Sequence, residues 1–295
     1  MSGTSSRREP IRPGLSDAER WRRAFFLRHS PCHMGNRFLA GHIAIVVAHP
    51  DDETIGCGAL LGRLAGVRVI LVTDGAPRNL ADARRHGFAT AEAYAAKRLS
   101  ELREALRLAH VAPNCFISLG VPDQEAALRL PELTRRLVEI FTKRRTRLVI
   151  THAYEGGHPD HDATACAVHL AARLVWRRRA IDLVEMPYYR LGDTGLVFQS
   201  FIPGNHSECQ IPLSADEIAV KRRMIAAHAT QKEVLAPFSA THELFRASAG
   251  YDFSVPPNNG RLYYEQHDWG MDGSRWCALA AAAAREISGE ASACP

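Results

Sequence analysis

Two short runs in this chain concentrate the residue types that bind metal ions and move protons: Ala48-His49-Pro50-Asp51-Asp52-Glu53 and His158-Pro159-Asp160-His161. A histidine and three acids crowded together are costly, because like charges repel and lose water, and a cation offsets that cost. Imidazole plus carboxylate suits Zn2+ or another first-row divalent ion, whereas calcium and magnesium prefer all-oxygen shells. Two histidines and one carboxylate leave a coordination position open for water, the arrangement of a catalytic rather than a structural ion. Each run alone also has a plainer reading, a turn in which Asp51 or Asp52 caps the helix that follows.

The elements that must position these runs decide between the readings. Ile43-Ala44-Ile45-Val46-Val47-Ala48 is a short β-branched apolar run, the mark of a strand buried on both faces, and it delivers the first run at its carboxyl end. Leu148-Val149-Ile150-Thr151 does the same for the second, with Gly156-Gly157 permitting a tight turn. Between them the pattern predicts a helix over 54–64, a strand over 67–72, a helix over 91–109, a strand over 115–119 and a helix from Pro131 to 144. A helix follows over 161–176. Strands alternating with helices in this way predict an α/β fold with a doubly wound, mostly parallel, Rossmann-like sheet. In such a sheet ligands collect beyond the carboxyl ends of the strands, so both runs fall at one edge, and that coincidence favours a metal site over two unrelated caps.

After Ile181 the alternation breaks. Residues 183–189, 196–201 and 209–213 read as strands of a C-terminal antiparallel subregion, Ser214 as the cap of a helix to 228, and 235–272 as a turn-rich aromatic stretch before a last helix near Ser274. Ser16 is expected to cap a helix over 17–28. The expected organisation is a tail and helix over 1–40, a main domain over 41–235 and an extension over 236–295 packed on it. Gly56-Cys57-Gly58 with Gly62 mimics a dinucleotide fingerprint, but Gly56 lies well past the strand end where that fingerprint begins, so close helix–sheet packing explains these glycines better.

The net charge of +5 comes largely from short arginine clusters such as 177–179 and 222–223, read as solvated surface rather than a nucleic-acid face. Seven scattered cysteines without a C-x-x-C pair argue against a disulfide framework. Cys57, Cys115, Cys166 and Cys209 read as small buried thiols. No run approaches the ~18 apolar residues of a membrane span, and the polar, basic start of the chain is not a secretory signal, so the expected location is cytoplasmic.

Together the two runs resemble the signatures of the family that contains the N-acetylglucosaminyl-phosphatidylinositol de-N-acetylases and the bacterial LmbE-like proteins, a strand ending in A-H-P-D-D-E and a later H-P-D-H. Thr73-Asp74-Gly75, Arg98-x-x-Glu101 and His228-x-x-Gln231 are weaker supporting matches, the last with Thr230 in place of serine, and the resemblance covers residues 43–235. It implies a zinc-dependent hydrolase with one Zn2+ per chain, Fe2+ being the alternative ion. His49, Asp52 and His161 would hold it. Asp51 would be the general base, His158 would protonate the leaving amine or steady the oxyanion, and Asp160 would orient or electrostatically tune His158. The implied reaction removes an acyl group, in the first instance acetyl, from an N-acylated amino sugar such as an N-acetylglucosamine glycoside. A conjugate amidase on a non-sugar amide and a non-catalytic metal- or sugar-binding protein are the alternatives.

The chain departs from the family in carrying Ala76 where many members have an acid. Arg78, Arg98 and His228 are the candidate substrate contacts. The late aromatics Tyr251, Phe253, Tyr263, Tyr264 and Trp269 read as core rather than as a sugar-stacking wall.

Overall fold

The computed structural model describes residues 38–176, 180–204, 207–248 and 250–293, all within the unit Gly35–Pro295. The helix expected over 17–28 lies outside the described residues. In chain order the elements are β1 (Phe38–Leu39), β2 (Ile43–Val47), α1 (Asp52–Arg63), β3 (Leu64–Ala65), β4 (Arg68–Pro77), α2 (Ala81–Arg85) and α3 (Ala91–Leu108). There follow β5 (Phe116–Asp123), α4 (Leu130–Lys143), β6 (Leu148–His152), α5 (Pro159–Trp176), β7 (Asp182–Met186), β8 (Tyr189–Leu191) and β9 (Leu196–Phe198). The chain closes with β10 (Glu208–Pro212), α6 (Ala215–Ala227), α7 (Lys232–Leu235), β11 (His242–Ala247) and α8 (Gly273–Ala293).

Among the described residues, seven strands form the central sheet in the order β10-β11-β7-β6-β2-β4-β5, with β7, β6, β2, β4 and β5 parallel and the β11 and β10 edge antiparallel. Helices α4, α5 and α8 pack together on one face, while α1, α3 and α6 pack together on the other. This is the doubly wound α/β architecture that the alternating pattern predicts. From β2 the chain winds one way through β4 to β5, and later the other way through β6 to β7. The β2–β6 boundary is therefore the topological switch point, where loops diverge and leave a crevice.

Three elements differ from the sequence reading. Residues 183–189 do not begin an antiparallel subregion: β7 pairs parallel with β6, from Leu148 opposite Asp182 to His152 opposite Met186. The strands expected over 196–201 and 209–213 are antiparallel, β9 with β8 and β10 with β11, but β11 itself is drawn from the turn-rich aromatic stretch. Strand β4 also runs beyond the expected end at 72, through Thr73-Asp74-Gly75 to Pro77, accommodating register irregularities against β5.

Helix α1 carries a break at Cys57 (φ −149°, ψ 29°). The groups freed near it are satisfied by a buried ion pair from elsewhere in the chain. The Glu243 carboxylate accepts from Ala59 N (2.7 Å) and Leu60 N (3.0 Å), and Lys221 Nζ donates to Ile55 O and to Glu243 (both 2.8 Å). Neither charge meets solvent appreciably. Gly56 bears out the packing expectation, since a Cβ there would lie 2.7 Å from both Met186 Sδ and Tyr188 Oη, but Gly62 faces open space.

Of the cysteines expected to be buried, Cys57 and Cys166 are, while Cys115 and Cys209 are partly exposed; the five described cysteines form no disulfide among themselves. No helix among the described residues is long and apolar enough to cross a membrane.

Candidate metal-dependent active site

Strand β2 ends one residue before Ala48, and the chain turns sharply to open α1. Asp51 takes φ 152° at the turn, a conformation that L-residues rarely adopt, and its side chain makes no capping bond to the helix. The capping reading of this run therefore fails for Asp51. Backbone strain of this kind persists only where the surroundings over-determine it, and it clusters at functional sites. The surroundings here are explicit: Arg98, from α3, donates to Asp51 Oδ2 (2.9 Å), to Gly75 O (2.5 Å) and to Pro50 O (3.3 Å).

Asp52 points elsewhere, accepting from the His49 backbone N–H (2.7 Å). His161 arrives from the first turn of α5. His49 Nδ1 lies 3.1 Å from His161 Nε2 and 3.4 Å from Asp52 Oδ2, and His161 Nε2 lies 3.4 Å from Asp52 Oδ1. Two imidazole nitrogens and a carboxylate thus face one another within 4.8 Å, as a shared cation requires. The opposite edge of the His49 ring meets two further acids, with Nε2 3.2 Å from Asp123 Oδ1 and 3.5 Å from Asp160 Oδ2. Both His49 Nε2 and Asp123 Oδ1 are buried without a hydrogen-bond partner among the described residues.

The electrostatics differ from group to group: burial holds the pKa values of His152, His158 and His161 below the ordinary imidazole value. Burial opposes protonation of His49, yet Asp123, Asp160 and Asp52 outweigh it and hold the pKa well above the ordinary imidazole value. Burial pushes the Asp52 carboxyl up, but His161 and His152 overcome that and hold it well below its usual range. Asp51, whose burial is only partly offset by Arg98, is pushed up to about 6, close to what a general base working near neutrality needs. His158 is held neutral by burial and by the neighbouring His49. Its Nδ1 accepts from Asp160 N (3.1 Å), which leaves the proton on Nε2, on the side of the ring nearer Asp123 (3.9 Å).

The sequence-derived residues divide accordingly. His49, Asp51, Asp52, His158 and His161 line one cavity. Asp160 is close by, but its carboxylate does not orient His158: it accepts from Gln124 N (2.6 Å) and Ala126 N (3.0 Å), and only its backbone N–H reaches the His158 ring. His228 is not a substrate contact. It is completely buried, with Nε2 against Thr54 Oγ1 (3.2 Å) and Glu53 Oε1 (3.6 Å). Arg98 does line the cavity, with Nη1 and Nη2 engaged by Asp51 and two backbone carbonyls. Arg78 lies outside this cavity, paired with Asp74 (2.5 Å), and lines a neighbouring recess with Arg275.

Two residues escaped the sequence reading. Asp123 closes β5 at the same sheet edge, past the strand end expected at 119, so no sequence signal marked it. His152, the last residue of β6, accepts from Ala48 N (2.9 Å) and stacks on His161 with ring centroids 4.2 Å apart. Nothing in its sequence context distinguishes it from a core residue. Among the late aromatics, Tyr264 is core as expected, whereas Trp269 lines the cavity with its ring 4.6 Å from that of His158.

Residues 44–172 match the PIG-L family model, described as GlcNAc-PI de-N-acetylase. A 1D-myo-inositol 2-acetamido-2-deoxy-alpha-D-glucopyranoside deacetylase of Corynebacterium diphtheriae is 28% identical over 238 residues, covering 66% of this chain and 78% of that protein. Among solved structures, an A40926 pseudoaglycone deacetylase superposes with a TM-score of 0.54 at 20% identity, over 70% of this chain and 96% of that one. The N,N'-diacetylchitobiose deacetylase of Pyrococcus horikoshii gives 0.50 at 18% identity, over 81% of this chain and 95% of its own. At these identities the two structures establish the shared fold.

Proposed function

We propose, from the match of residues 44–172 to the PIG-L family model, that this chain is a metal-dependent hydrolase that removes the acetyl group from an N-acetylated amino sugar. His49, Asp52 and His161 would hold one divalent ion, with zinc the ion their donor set favours. The alternative grouping around His49, with Asp123, His158 and Asp160, is less suited, because Asp160 has both carboxylate oxygens committed to backbone amides and His158 has Nδ1 committed as well. A divalent ion in the first grouping supplies a Lewis acid that polarises an amide carbonyl and lowers the pKa of water.

The chain's own groups divide the proton work. Asp51, fixed by Arg98 and raised towards neutrality, takes the proton of the attacking water and returns it to the amide nitrogen as the C–N bond breaks, leaving acetate and a free amine. His158, neutral with its proton on Nε2, is suited to donate a hydrogen bond to the developing oxyanion rather than to release a proton. Of the two roles the resemblance implies for it, the geometry supports the second.

The observation that carries this reading is the placement of Asp51. A carboxylate held beside a candidate ion site but turned away from it serves catalysis, not simple metal retention. The direct test is acetate release from the inositol glycoside of N-acetylglucosamine and from N,N'-diacetylchitobiose, with and without chelator. Chelator-sensitive release supports the proposal, and a metal-loaded protein inert to both overturns it. The apolar part of the cavity wall, Ile55, Val234, Leu235 and Phe238, favours a non-sugar amide as the second reading. Activity confined to such amides would establish it.

A further inference from the structure

The turn that carries His228 continues to Gln231, whose amide is held in one orientation. Its Nε2 donates to Tyr94 Oη (2.7 Å) and to Thr230 O (3.0 Å). A carbonyl oxygen only accepts, so the nitrogen must face Thr230 and the amide cannot flip. Thr230 is itself pinned, its N–H and Oγ1 both donating to the Glu101 carboxylate (3.2 and 2.6 Å) on α3, the helix that also supplies Arg98 to Asp51. The residue is 7% exposed and lines the cavity that holds His49, Asp51 and His158. No described donor reaches its Oε1. The next cavity-lining residues along the chain, Val234, Leu235 and Phe238, are apolar, so Oε1 is a fixed acceptor on a residue whose neighbours in that wall offer none.

We propose that Gln231 is a specificity-determining residue whose Oε1 accepts a hydrogen bond from a ring hydroxyl of the amino sugar. The inference rests on the amino-sugar reading above and adds the contact that selects the sugar. An acceptor fixed on a largely apolar wall, and unable to turn its NH2 group inward, rewards a hydroxyl and leaves nothing to compensate its loss. Its role is binding: Gln231 takes no part in proton transfer.

The test compares the metal-loaded enzyme on the methyl glycoside of N-acetylglucosamine with its 3-, 4- and 6-deoxy analogues. The wild type is expected to lose roughly tenfold in kcat/KM on one analogue, a single net hydrogen bond, chiefly through KM. Gln231→Met, close in shape but without the acceptor, is expected to lose about as much on the parent glycoside and to treat that one analogue and the parent alike. Metal content and far-ultraviolet circular dichroism check its fold. Should that variant not fold, Tyr94→Phe, which frees one side of the Gln231 amide, should narrow the same preference and leave the others unchanged. Equal wild-type rates on all three analogues, or a preference that survives undiminished in the folded variant, overturn the inference. A wild type that releases acetate from none of the glycosides overturns the amino-sugar reading beneath it.

Discussion

Asp51 and Asp52 are adjacent and both buried, yet they do different things because the backbone between them is forced into an uncommon conformation. One carboxylate faces His49 and His161; the other faces Arg98. Replacing Asp51 with Asn keeps a hydrogen-bond acceptor for Arg98 and removes the base. We expect kcat to fall by about 10²–10⁴-fold, with metal content by elemental analysis nearly unchanged. Full activity of that variant on the true substrate would exclude Asp51 as base. At this scale the sequence was informative wherever chemistry-bearing residues clustered, as in the runs at 49–53 and 158–161. It was silent where a single polar residue closes an apolar strand, as His152 and Asp123 do, because one residue carries no pattern. It misled for His228, which completes a buried network and does not line the cavity.

Among the elements, α1 matters most, since it starts at Asp52 and its path fixes the first run. Gly56 lets it lie against β7 and the residues beyond it. Gly56→Ala places a methyl group against Met186 and Tyr188, and we expect a loss of about 1–3 kcal/mol in urea-induced unfolding. The Lys221–Glu243 pair supports the break at Cys57 from the other side. Lys221→Met strands a buried carboxylate, and a loss of about 3–5 kcal/mol is expected. Adding Glu243→Leu should restore only part of it, because Ala59 and Leu60 lose their acceptor at about 1–3 kcal/mol each. Full recovery in the double variant would show that Glu243 does not sustain the break. The parallel strands and major helices were legible from periodicity and β-branched runs. Strand β11 was not, since its sequence, His-Glu-Leu-Phe-Arg-Ala, spends two charged residues on buried ion pairs where strand patterns lead one to expect apolar side chains.

In the molecule as a whole, the β2–β6 switch point collects residues from β2, β5, β6 and the starts of α1 and α5 into a centre crowded with acids. A bound divalent ion that the unfolded chain does not retain stabilises the fold by mass action, about 4 kcal/mol at a thousandfold excess over Kd. Chelation should therefore lower the thermal midpoint, and added zinc should restore it. A midpoint indifferent to both would count against an ion at this centre. That the two histidine-acid runs share one sheet edge followed from counting strands. Which acids and rings would fill the space between them did not, since that depends on loop paths that no local pattern encodes.

The brace on α1 has a bearing on the order in which this protein can mature. Glu243 comes from β11, far beyond residue 172 where the match to the family model ends. A nascent chain has both histidine-acid runs in hand once residue 161 is made, but the helix that opens at Asp52 still lacks the carboxylate that satisfies its broken turn. Its two ends are joined only after residue 243 has left the ribosome. Synthesis halted between those two points would yield a chain that possesses the proposed ligands and lacks the scaffold that aims them.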